Sequence, residues 1–93
     1  MSQKIQSAPL EVFDLHPEVS KTRQEKNTNS LEFTMGKYGQ QQPVTAVERN
    51  GRLLIIDGWS RKTTAEKMGI DNLLYIIRDI PDDQVIQQRM FLN

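Results

Sequence analysis

The sequence contains no cysteine among its 93 residues. Disulfides, cysteine-ligated zinc and thiol catalysis are therefore excluded. There is a single histidine, His16, too few for a histidine-rich metal centre. No charge predominates, with 12 basic residues against 12 acidic ones. A chain held to nucleic acid by charge alone should show a basic excess, although a local basic site remains compatible with a neutral total. No apolar run approaches the roughly 20 residues of a membrane span, and the N-terminus lacks the apolar core of a secretory signal. These absences predict a cytoplasmic domain with no membrane partner. At this length one domain is expected, with a modest core.

What the sequence does contain is a series of short apolar runs separated by turn residues. Residues 1–9 are polar and aperiodic and read as a loose N-terminal tail. The run from Leu10 to Leu15 partly alternates, with Leu10, Val12 and Leu15 assigned inward, and predicts a short strand. His16-Pro17 ends it, since proline removes a ladder donor. Residues 16–29 are charged and polar and read as a long connection. Asn29 or Ser30 is placed to cap a helix with Leu31, Met35 and Tyr38 on one stripe, closed by Gly39.

Asn50-Gly51 lies between two β-prone runs, a strong hairpin signal. Val44 and Val47 cannot share a face of a regular strand, so the register of the first run stays open. Leu53 to Ile56 is continuously apolar, as expected of a strand buried on both faces. Gly58 breaks it, and from Ser60 the composition turns helical, with Ala65 and Met68 assigned inward and Gly69 as the stop. Leu73 to Arg78 predicts another strand. Pro81 and the following aspartates open a last helix whose apolar face is Val85, Ile86, Met90, Phe91 and Leu92. The expected class is α+β, in the order β-α-β-β-α-β-α with a small mixed sheet. The strands on either side of the helix that begins near Ser60 are candidates for a parallel βαβ pair.

The segment that carries chemistry is Asp57-Gly58-Trp59-Ser60-Arg61. The first turn of a helix has unpaired N–H groups and partial positive charge, which favour phosphate. Gly58 lets a ligand approach the backbone. Ser60 offers a hydroxyl, and Arg61 and Lys62 offer cationic donors. Trp59 fits either a core position or a flat face for a base. Asp57 fits either a helix cap or, with Glu48, Glu66 or Asp79, a metal ligand.

Three stretches resemble the N-terminal domain of the ParB family, within the ParB/sulfiredoxin superfamily. They are Gly39-Gln40-Gln41-Gln42-Pro43-Val44, the box Ile55 to Gly69 with its Gly58 and Arg61, and Asp79-Ile80-Pro81-Asp82-Asp83. The resemblance covers roughly residues 10–93 and implies a single ParB-like N-terminal domain that ends before a DNA-binding region. It implies a nucleoside triphosphate, typically CTP, with or without Mg2+. Gly58 and Arg61 would be phosphate contacts, helped by the backbone N–H groups of Ser60 and Arg61. Gly39 and Gln42 would line the neighbouring loop, and Arg23 matches an arginine that often follows the family's first strand.

The family box usually reads Gly-Glu-Arg-Arg. Here Trp59 stands for the glutamate and Ser60 for the first arginine, which leaves hydrolysis open. The sulfiredoxin branch needs a cysteine that this chain lacks. The leading expectation is a nucleotide-binding regulatory module of a partition or transcription regulator, contacting DNA through regions outside this chain, with a homodimer among its partners. The alternatives are a ParB-like nuclease or phosphotransfer domain, with Asp57 at any metal, and a protein-interaction module.

Overall fold

Asn50-Gly51 forms the expected tight turn, with φ of 54° and 78° at the two residues, the left-handed pair that a type I′ hairpin requires. It joins β3 (Val44–Arg49) to β4 (Arg52–Asp57), which pair antiparallel with Arg49 opposite Arg52. The structure, a computed structural model, describes residues 4–22, 29–40 and 42–87. Three further strands complete one sheet: β1 (Gln6–Pro9), β2 (Phe13–Leu15) and β5 (Asn72–Ile77). The order across the sheet is β1-β5-β3-β4-β2. β2 runs parallel to β4 and β3 parallel to β5, while the other two pairings are antiparallel. The class is therefore α+β with a mixed sheet.

Both faces of the sheet are covered. On one face, Val44, Ala46, Leu53, Ile55, Leu73 and Tyr75 pack with Met35 of α2 (Asn29–Tyr38) and Ala65 of α3 (Trp59–Lys67). On the other, Val47 and Ile56 pack with Val19 of α1 (Pro17–Thr22) and with Ile80 and Val85 near the C-terminal end. Val44 and Val47 thus take opposite faces, which settles the register. Leu53 to Ile56 feeds both clusters, as a doubly covered strand must. Each such fully buried side chain contributes about 1.5–3 kcal/mol. No helix among the described residues is long and apolar enough to cross a membrane.

Several expectations need correction. The supposed loose tail supplies β1, which pairs with Asn72–Tyr75 of β5. Pro9 is tolerated there because β1 is an edge strand. The run Leu10 to Leu15 is not one strand. Leu10–Val12 is a 3₁₀ turn that resets the phase, leaving Leu10 and Val12 only half-buried. Phe13 takes the inward position instead, edge-to-face with Tyr75 at a centroid distance of 5.4 Å. The connection at 16–29 contains α1 at its start, anchored by buried Val19; residues 23–28 lie outside the described residues.

The βαβ expectation also fails. β4 and β5 flank β3, and β2 occupies the other edge of β4, so α3 delivers β5 to the far side of the hairpin. Tyr38, placed on the apolar stripe of α2, and Met68, assigned inward, are 61% and 37% exposed. The Met68 methyl nevertheless lies 3.2 Å from where a Cβ on Gly36 would sit. The end of α3 thus meets α2 at Gly36, where an added Cβ would need the Met68 methyl to yield by a few tenths of an ångström. Gly39 and Gly69 end α2 and α3 as expected, donating to the carbonyls of Met35 and Glu66. At the C-terminal end, Asp82–Gln84 is a 3₁₀ turn that the carbonyl of Pro81 begins. Met90, Phe91 and Leu92 lie outside the described residues.

Asp82 does not cap that turn; its carboxylate turns to His16. The imidazole is buried. Its Nδ1 accepts from the Glu18 N–H at 3.1 Å, capping α1, and its Nε2 lies 3.1 Å from Asp82 Oδ1. Arg49 Nη2 lies 3.3 Å from the same oxygen and donates to the Ile80 carbonyl at 2.7 Å. The hydrogen bond from His16, aided by the charge of Arg49 and opposed by desolvation, holds the Asp82 carboxyl below its ordinary value. A carboxyl lowered on folding contributes stability that is present above its unfolded pKa of about 4 and is lost as pH falls through the lower folded value. Asp82→Asn should therefore be less stable than the parent at neutral pH, with the gap closing below about pH 4 in urea melts run across the acid range. A gap that stays constant with pH would contradict this.

Candidate anion site

The site forms where β4 hands over to α3. Gly58 is the residue ahead of the helix, with φ 97° and ψ 17°, and as a glycine it offers no side chain of its own to cap the first turn. Asp57, considered as a cap, instead ends β4 opposite Thr45. A Cβ on Gly58 would stand 2.9 Å from Val44 Cγ1, 3.2 Å from Val44 Cα and 2.9 Å from Arg61 Nη1. Glycine is required here both for its backbone angle and for space. The same distances place the Arg61 guanidinium directly over Gly58.

Arg61 thus folds back toward the start of its own helix. Its Nη2 donates to Gln42 Oε1 at 3.0 Å. Its backbone N–H donates to the Gly58 carbonyl at 2.9 Å, so this amide is engaged within the turn, contrary to its expected role as a ligand donor. The guanidinium borders a cleft of about 410 Å³. Ser30, Leu31, Thr34 and Met35 of α2 form one side, and Gln40, Gln42 and Arg61 the other. Among the described residues lining it, Arg61 alone is charged. The cleft combines apolar surface, carboxamide and hydroxyl groups, and one cation beside the start of α3. Those are groups able to hold an amphiphilic anion.

The structure brings Gly58, Arg61 and Gln42 together, with Ser60 half-buried on the same turn. It does not bring Lys62 there. The Lys62 ammonium pairs with Glu66 at 2.9 Å and sits 4.9 Å above the Trp59 ring, beside a different recess that includes Glu11 and Asp71. Trp59 itself packs on the core, so its ring serves packing and carries Lys62. Gly39 is exposed at the end of α2 and is not among the residues lining the cleft. Arg23 lies outside the described residues.

Sequence reasoning passed over Gln40. Its carboxamide accepts from Leu74 N–H at 2.7 Å and donates to the Leu74 carbonyl at 2.9 Å and to the Gln42 carbonyl at 2.8 Å. The side chain thus mimics a peptide group next to β5. Its partner on β5 is 34 residues away, so no local pattern marks it.

No family model matches the sequence, and no curated protein matches it. Solved structures do. The C-terminally truncated chromosome-partitioning protein ParB from Caulobacter crescentus, complexed with CTP-gamma-S, is similar with a TM-score of 0.82 and 20% identity, over 97% of this chain and 52% of that one. A Pnob8-like ParB-N domain is similar with a TM-score of 0.75 and 18% identity, over 98% and 35%. Sulfiredoxin from Arabidopsis thaliana is similar with a TM-score of 0.71 and 23% identity, over 97% and 98%. The chain thus spans about half the length of that Caulobacter ParB structure. It has the α+β fold, built on a mixed sheet, that ParB N-terminal domains share with sulfiredoxin.

Proposed function

We propose that this domain binds a nucleoside triphosphate of the CTP type and serves as the regulatory module of a ParB-like partition or transcription regulator. The observation that carries the reading is the Arg61 guanidinium held over Gly58 at the start of α3, on the edge of a cleft wide enough for a ligand. Phosphate would contact Gly58, Ser60 and Arg61, where helix dipole and guanidinium reinforce one another. The apolar side of the cleft, Leu31 and Met35, would receive the less polar part of the ligand. The match in fold to a ParB complexed with CTP-gamma-S supports the choice of ligand class.

The ParB side of the superfamily is favoured over the sulfiredoxin side because thiol chemistry has no cysteine to use. Trp59 and Ser60, which replace the family's charged residues, are consistent with binding more than with hydrolysis. The nuclease alternative gains no support, since among the described residues no three His, Asp or Glu side chains gather at one place. DNA contact through regions outside this chain, a homodimer and a cytoplasmic location belong to the same proposal. The test is calorimetric titration with CTP, ATP and GTP, each with Mg2+. Saturable binding of at least one, with CTP strongest, is expected; no binding of any at about millimolar concentration, where even weak sites register, would overturn the reading.

A further inference from the structure

Arg61 is a long side chain held in place by one exposed glutamine, Gln42. A side chain with several free torsions loses substantial rotamer entropy when fixed, so an exposed residue is a poor anchor unless something fixes it in turn. Gln40 meets that need. Both its carboxamide nitrogen and its oxygen bond to the backbone of Leu74 in β5, and the same nitrogen also donates to the Gln42 carbonyl. A path therefore leads from the sheet through the Gln40 carboxamide to the main chain of Gln42, and from the Gln42 side chain to the guanidinium over Gly58.

We propose that Gln40 is a positioning residue for the anion site: by tying the backbone of Gln42 to β5 it presets the Arg61 guanidinium for a phosphate group. This inference rests on the triphosphate reading above. Both donations from the Gln40 carboxamide nitrogen go to the Leu74 and Gln42 carbonyls, which leaves it none for a phosphate. Gln40 acts by sparing the ligand the cost of ordering Arg61, which is how preorganisation raises affinity.

The experiment is a double-mutant cycle on the whole chain, read by CTP affinity and by NMR of the Arg61 guanidinium. Gln40→Met keeps the length of the side chain and removes all three bonds. It should weaken CTP binding about 5- to 10-fold, the scale of one lost hydrogen bond. In a Gln42→Ala background the same change should add little, because both residues act through one path. The Arg61 Nη signals, separate when the group is held, should collapse toward an average in Gln40→Met. If Gln40→Met does not fold, Gln40→Glu, which keeps the bond from Leu74 N–H, takes its place with the same readouts. Unchanged affinity and unchanged Arg61 signals would overturn the proposal, as would a loss just as large without Gln42. A parent chain that binds no triphosphate would overturn the ligand reading instead. The Arg61 signals alone would then decide whether Gln40 positions that group.

Discussion

Gly58→Ala should lower the melting temperature of this domain by about 8–40 °C, at the usual 4–8 °C per kcal/mol for a domain of this size. Two costs combine. A φ of 97° forces an L side chain into the left-handed region, at about 1–2 kcal/mol. The new methyl would also stand 2.9 Å from Val44 Cγ1 and 3.2 Å from Val44 Cα. Val44 is fully buried at the start of β3, and its backbone cannot yield without disturbing the sheet. Overpacking of this kind costs about 1–3 kcal/mol. Gly51 provides the control. Its φ is 78° but nothing lies within 4 Å of its Cβ position, so Gly51→Ala should show the strain alone, about 1–2 kcal/mol. Thermal melts that gave the two variants equal losses would mean that the contact with Val44 relaxes freely.

Arg61→Ala should behave in the opposite way, with a large loss of binding and little loss of stability. The residue gives up one hydrogen bond within the chain, to an exposed glutamine, so its removal should cost no more than about 1 kcal/mol. To a phosphate it would offer two parallel charged bonds, each worth about 1.5–3 kcal/mol. Their loss corresponds to a decrease of about 100-fold or more in triphosphate affinity. Lys62→Ala should leave binding nearly unchanged, since that ammonium is engaged by Glu66 and Trp59. Calorimetry on both variants, with melts alongside, separates the effects. An Arg61→Ala protein that is unfolded, or one that still binds as the parent does, would contradict the assignment.

The parts of this fold that could be read from the sequence are those fixed by neighbouring residues. Asn50-Gly51 specifies its turn locally, Gly58 separates a buried strand from a helix, and Gly39 and Gly69 stop their helices. The parts that escaped depend on distant partners. β1 is largely polar and is held by pairing with β5, more than sixty residues later. Phe13 points inward because a 3₁₀ turn precedes it, which alternation cannot reveal. β5 lands beside β3 rather than β4 because β2 has taken the other edge of β4.

The candidate site divides along the same line. Gly58 and Arg61 lie three positions apart on one turn, so their proximity follows from helix geometry and the sequence suffices. Lys62, one residue on, points about 100° away around the helix axis and pairs with Glu66 one turn later. Composition alone counted it among the site's cations. Gln40 and His16 were passed over because their bonds run to Leu74 and Asp82, and nothing near them in the sequence announces those partners.

The central claim is that an anion settles on the turn joining β4 to α3. Titrating isotopically labelled protein with CTP and following its amide and guanidinium NMR signals tests that most directly. Saturable shifts concentrated at Gly58, Ser60, the Arg61 guanidinium and Gln42 are predicted, disappearing in Arg61→Ala. A protein whose signals at these positions stay fixed while CTP rises, or whose shifts gather around Lys62 and Asp71 instead, would contradict the account.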